Sequence, residues 1–180
     1  MTRTHISLPS NPVGIGVLVV TAMEPLPIEG IFGALIHLGA PSWRPLDEVI
    51  ERTVDCLCRQ GLLEGVSDRF APSAVARAAL PEALETLPLD GASSDICYKL
   101  KVMGLDLLEP RERARQLQAL VGHWRRTAEL WQIAEDRCPC AQPSVRGWMR
   151  HNLDLARREL DWLGSMAAGE GVLGVGRERS

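Results

Sequence analysis

Residues 44–64 read RPLDEVIERTVDCLCRQGLLE, from Arg44 to Glu64. Pro45 suits a first helical position, where its missing N–H costs nothing. Asp47, Glu48 and Glu51 crowd the positive end of the helix dipole. Leu46, Val49, Ile50, Val54 and Leu57 recur at spacings of three and four and predict one apolar face. Gly61 supplies a helix stop, and Leu62 and Leu63 begin a short extended segment. An amphipathic helix, a glycine stop and a strand thus follow one another without a gap.

Working outward, the flanks extend the pattern on both sides. Upstream, residues 1–12 are polar with two prolines and read as a loose arm. Val13–Met23 is apolar nearly all round, with Gly14 and Gly16 among β-branched residues, so periodicity alone does not separate helix from strand. A helix is expected, because Pro25 and Pro27 end it and a second helix, Ile28–Leu38, follows with Ile31, Leu35 and Leu38 on one side. Downstream, Leu62–Val66, a turn at Ser67–Asp68 and Arg69–Ala71 form a minimal wing, and Ser73–Leu84 is helical. Helix, helix, helix, wing is the order of a winged helix. Residues 88–92 carry Pro88 and Gly91 and read as a linker.

The second half is helical throughout. Ser94 or Asp95 opens a helix to Leu108, and Glu109–Pro110 separates it from a long one, Arg111 to about Glu135. There Leu117, Leu120, Trp124, Trp131 and Ala134 step as on a coiled-coil seam. A last helix runs from Ser144 to about Met166, before a Gly-rich tail over 167–180. The expected fold class is mainly α: a winged helix-turn-helix domain over 13–87 and an antiparallel helical dimerisation and effector domain over 93–166.

The bulk properties narrow the function. The chain has 180 residues, 46% apolar and 24% charged, which excludes wholesale disorder. Its net charge of −3 is uneven, with six Arg against eleven acids up to residue 92 and fourteen cations against twelve acids beyond. The acidic half is the one that would need a basic face to hold nucleic acid. Five cysteines, an odd number, point to reduced thiols in a cytoplasm. Val13–Ala22 is too short to span a bilayer, so no membrane partner is expected.

The layout resembles the PadR family of bacterial transcription regulators, in the form with a full helical C-terminal domain. Val17–Gly30 (VLVVTAMEPLPIEG) resembles the family's opening helix and its small–Pro–x–x–Gly turn, with Pro27 and Gly30 in register. Cys56–Glu64 (CLCRQGLLE) resembles the L-x-x-L-x-x-x-G-L join between third helix and wing. Arg69–Leu80 (RFAPSAVARAAL) resembles the second wing strand and its following helix, and Arg158–Gly164 (RELDWLG) the closing E-x-x-W-[LI]. The resemblance covers about residues 13–166. Ile31 stands where the family has Tyr, Thr53 or Val54 replaces a third-helix Tyr, and Arg69 is the wing's only cation. It implies a dimeric repressor that grips an inverted-repeat operator in double-stranded DNA and responds to an aromatic small molecule.

Phosphate contacts fall to Arg and Lys, and base contacts to the exposed start of the third helix. The DNA-binding candidates are Ser42, Arg44, Glu48, Arg52 and Arg69, with Asp47 beside them. Glu48–Arg52 and Asp55–Arg59 are spaced i,i+4, so Arg52 and Arg59 read equally as paired residues on a solvated face. Arg44 and Arg69 have no local partner in sequence. Trp124, Trp131 and Trp148, with His123, are the candidate aromatic effector site, and core packing is the alternative. Leu117, Leu120, Leu155, Leu160, Trp162 and Leu163 are the candidate homodimer interface, with the first helix also expected to cross the axis.

Cys138-Pro-Cys140 lies in a turn and would need His123, His151 or Cys97 to complete a metal set; small buried residues are the alternative. No phosphate loop, H-E-x-x-H or nucleophile elbow is present, and no catalytic residue, metal or cofactor is expected. The rival reading keeps the scaffold and drops the DNA. It makes the chain a small-molecule binder or biosynthetic enzyme working in the Trp-lined domain, with His123 and His151 near Glu129 and Asp154.

Overall fold

The computed structural model describes residues 8–39, 43–91, 93–139 and 142–175, with side chains to 168. Its elements are α1 (Pro12–Met23), α2 (Ile28–Gly39), α3 (Asp47–Arg59), β1 (Leu63–Val66), β2 (Arg69–Pro72), α4 (Ala74–Thr86), α5 (Ser94–Gly104), a 3-10 turn (Leu105–Leu107), α6 (Pro110–Arg137) and α7 (Pro143–Val175). The chain divides into two units, residues 1–109 and residues 110–180.

The first unit is built around α1. Asn11 caps it by accepting from the Gly14 N–H at 2.8 Å, and every residue from Gly14 to Ala22 is buried. Helices α2, α3, α4 and α5 and strand β2 surround it. At Gly16 helix α2 comes close: a Cβ there would stand 2.8 Å from Leu35 Cδ2. The one buried polar side chain of α1, Thr21, donates its hydroxyl to the Val17 carbonyl at 2.6 Å, so it enters the core satisfied.

Helix α3 ends as its sequence implies. Gly61 has φ +67°. Its N–H reaches Cys58 O at 3.0 Å, and the Leu62 N–H reaches Leu57 O at 2.9 Å. This is a Schellman stop, with Leu57 and Leu62 buried beside it. The chain then enters a hairpin whose register pairs Leu63 with Pro72 and Val66 with Arg69. Ser67 (φ 50°) and Asp68 (φ 62°) both lie in the left-handed region, which a two-residue type I′ turn requires. Leu26, in the α1–α2 connection, pairs with Phe70 as a third, one-residue strand. Three helices and a wing in this order make a winged helix.

Several details depart from the sequence reading. Pro45 precedes α3, whose N-cap is Leu46. The helix buries only Ile50, Val54 and Leu57, while Leu46 and Val49 stay exposed at 71% and 41%. The unit boundary falls at 109/110 and not at 88–92. Helix α5 is the reason, because it packs on α1, α2 and α4. Helix α1, expected to cross a dimer axis, is enclosed by its own unit.

The second unit is the α6–α7 hairpin. Trp131 meets Trp148 edge-on with ring centres 4.8 Å apart, and Arg150 pairs with Glu135 at 2.9 Å. These contacts set an antiparallel register that brings Leu163 opposite Leu117 and Leu120. Helix α7 continues past Met166 to Val175, so the tail expected from 167 is helical over most of its length. Among the described residues no helix is long and apolar enough to cross a membrane.

Candidate nucleic-acid interface

In a winged helix, the second and third helices and the hairpin offer the surface that meets DNA. Here α3 turns Ile50, Val54 and Leu57 inward. It leaves Asp47, Glu48, Glu51, Arg52, Asp55, Cys56 and Arg59 outward. Trp43 holds the turn ahead of α3, its N–H donating to Gly39 O at 2.9 Å and its ring lying over Gly39. That contact ties the last turn of α2 to the approach of α3.

The candidate residues meet different fates. Ser42 lies outside the described residues. Arg44 is exposed just before α3. Arg52 approaches Glu48 at 4.0 Å with both side chains largely in water, a contact of marginal strength. Arg59 donates to the Asp55 backbone carbonyl at 3.3 Å and not to its carboxylate. Arg69, read from sequence as unpartnered, donates from Nη1 to the Pro25 carbonyl at 3.0 Å. Its partner is forty-four positions away in sequence, so no local pattern could reveal it.

Sequence reasoning missed Arg77. Its Nη1 donates to Ala22 O, in the last turn of α1, at 3.2 Å. The two arginines therefore serve carbonyls at and just beyond the end of α1, where backbone acceptors lack helical partners and a positive charge is favoured. The outer surface is acidic. Over 44–59 there are three Arg and four acids, and over 64–69 one Arg and two acids, so the two segments sum to −2.

The aromatic candidates fall into two places in the hairpin. Trp131 and Trp148 are in contact across it. His123 stacks edge-on against its neighbour Trp124 at 5.6 Å. Two helical turns of α6, roughly 10 Å, separate the two pairs. The dimer candidates also divide. Leu117, Leu120 and Leu163 are buried inside the chain at 1%, 1% and 0% exposure and are not available to a partner. Leu160 is half-buried. Leu155 and Trp162 are exposed, and so are Trp148, Leu130 and Ile133, of which the last two were not singled out from sequence.

Cysteine chemistry finds little support in the geometry. Cys56 is exposed, Cys58 and Cys138 are half-buried and Cys97 is buried, all as free thiols. Burial, then the nearby Asp55, pushes the Cys58 thiol pKa up, away from the reactive thiolate. Cys140 lies outside the described residues. Among the described residues no three His, Cys, Asp or Glu side chains gather closely enough to hold a metal ion.

Neither a protein-family model nor a curated protein matches the chain. Among solved structures it is similar to Bacillus subtilis PadR, with 14% identity and a TM-score of 0.42 over 91% of this chain and 97% of that one. It is similar to the Vibrio cholerae virulence activator AphA, with 19% identity and a TM-score of 0.39 over 88% and 98%. It is also similar to Bacillus subtilis PadR in complex with operator DNA, with 13% identity and a TM-score of 0.37 over 87% and 97%. At identities and scores this low, the fold assignment stands on the element order, the wing register and the Gly61 stop.

Proposed function

We propose that this chain is a PadR-like transcription regulator, a cytoplasmic repressor that holds an inverted-repeat operator as a homodimer and responds to an aromatic small molecule. The observation that carries the reading is α3. It follows a helix-turn-helix corner, is fixed by its inner face and a Schellman stop, and presents an outer face committed to no other element, beside a closed wing. Arg44 and the first turn of α3 would meet the major groove, where exposed Leu46 and Val49 suit thymine methyl groups. The test is an anisotropy titration with duplex DNA from upstream of the chain's own gene, at several salt concentrations. Binding that strengthens as salt falls is expected, and none at low salt overturns the reading.

The dimer in this proposal uses a different surface from the buried leucines. Trp148, Leu155 and Trp162 lie seven residues apart on α7, all exposed. A two-fold axis at Leu155 would set each Trp148 against Trp162 of the partner subunit and each His151 near Glu159 of the partner subunit. The sequence of this stripe is thus self-complementary when antiparallel. The Trp131–Trp148 pair would then sit at the edge of that interface, where an aromatic ligand and dimer geometry compete for one ring. Light scattering decides it: a clean 19.8 kDa monomer at micromolar concentration rules the dimer out.

A second reading is favoured by one observation, the net −2 of the α3 and wing segments. It keeps the winged-helix scaffold as a small-molecule binder or biosynthetic enzyme without DNA. The same titration separates the two readings, and quenching of Trp fluorescence by aromatic acids reports the ligand in either case.

A further inference from the structure

We infer that the wing of this chain is a positioning element, held by Arg69 and Arg77, and that contact with DNA falls on α3 and its approach. The consequence for DNA rests on the regulator reading above; the positioning itself does not. Arg69 is the only cation between residues 60 and 76. Arg69 is exposed, but a hairpin that gripped phosphate would need its guanidinium uncommitted. Instead it donates to Pro25 O at 3.0 Å, and Arg77 donates to Ala22 O at 3.2 Å.

Between these two anchors, Leu26 and Phe70 exchange both backbone bonds, at 3.2 and 2.8 Å. Helix α4 is thereby tied to the last turn of α1 at Ala22, and β2 to the α1–α2 connection at Pro25 and Leu26. What the hairpin turns to solvent is Glu64, Gly65, Val66, Ser67, Asp68 and Arg69, which offers phosphate two carboxylates and one cation already committed to the Pro25 carbonyl. Swinging Arg69 to a phosphate would forfeit its charge-assisted bond and bring those carboxylates against the DNA backbone.

On α3 and its approach the cations left for phosphate are Arg44, Arg52 and Arg59, six in a dimer. The slope of log affinity against log salt should therefore be no steeper than about −5. The test has two arms. Amide exchange at Leu26 and Phe70, referenced to α1, is measured for Arg69→Ala, Arg77→Ala and Arg44→Ala. Salt-dependent anisotropy with the upstream duplex is measured for wild type, Arg69→Ala and Arg44→Ala.

Arg69→Ala should raise exchange at Leu26 and Phe70 about threefold to tenfold. It should weaken DNA binding with the salt slope unchanged. Arg44→Ala should leave exchange alone and make the slope shallower by about 1.8, one phosphate per protomer. Unchanged exchange in Arg69→Ala overturns the inference, as does a slope lowered as much as by Arg44→Ala. If the wild type binds no DNA, the regulator reading fails and the exchange arm alone decides the role of the arginines.

Discussion

Helix α1 and the α6–α7 hairpin are both rich in large apolar side chains, yet only α1 buries nearly all of them, its terminal Met23 excepted. From Gly14 to Ala22 nothing on α1 reaches solvent. On the hairpin, Leu130, Ile133, Trp148, Leu155 and Trp162 remain exposed beside the buried Leu117, Leu120, Leu153, Ala156 and Leu163. The difference is one of neighbours. Four helices and a strand enclose α1, whereas each hairpin helix has one partner within its unit and can cover one stripe against it. A single chain completes the first core, and the second unit leaves a row of aromatic and aliphatic groups that only a further surface can dry.

The sharpest way to break that comparison is a charge inside α1. Leu18→Asp places an unpaired carboxylate where exposure is 0%. A loss of more than about 4 kcal/mol is expected, enough to unfold the first unit. Circular dichroism should then retain hairpin helicity while amide exchange in α1, α2 and α3 becomes fast. Protection of α3 in this variant would show that α1 is not the centre of the unit.

A smaller effect separates inner from outer stripes on α7. Leu163→Ala empties a site at 0% exposure and should cost about 2–5 kcal/mol in urea unfolding. Trp162→Ala, one residue away and 46% exposed, should change the folding of an isolated chain little. It should instead weaken self-association by about 1.5–3 kcal/mol, roughly tenfold to a hundredfold in dissociation constant. Sedimentation across a concentration series reads the second, denaturation the first. If both variants behave alike, the division of α7 into a folding stripe and an association stripe is wrong.

The same contrast explains what was legible beforehand. Helices and wing follow from local signals: Pro25 and Pro27 as breaks, Gly61 as a stop, Ser67–Asp68 as a turn and Ser73 as a helix start. Each acts within five residues and leaves its mark in the sequence. The faces were harder. Leu117, Leu120 and Leu163 look like any heptad seam, and nothing local says whether α7 of the same chain or of another copy covers them. Arg69 read as a phosphate contact and Arg77 went unread, because their carbonyl partners lie forty-four and fifty-five positions away. The boundary was misplaced for a related reason: Pro88 and Gly91 break the chain without parting the core, since α5 returns to α1 and α4.

That return is sealed by Lys101, which supplies the subtlest test of where the first unit ends. Only 7% exposed, its Nζ donates to Leu84 O at 2.6 Å and Glu85 O at 2.9 Å, at the C-terminal end of α4, where a cation is favoured. Burial pulls its pKa below the usual 10.5, opposed by the neighbouring Cys97 and Glu85. The sign follows from proton counting. Between the lowered folded value and 10.5 the unfolded chain holds more protons at this site than the folded one, so stability rises with pH across that window. Below the window the burial penalty is present in full, and above it the penalty is gone. Urea unfolding of wild type and Lys101→Met from neutral pH to pH 10.5 should show this rise in the wild type and a smaller one in the variant. Identical curves would mean that Lys101 is hydrated in solution, and that α5 is held to the winged helix less tightly than its contacts with α1 and α4 indicate.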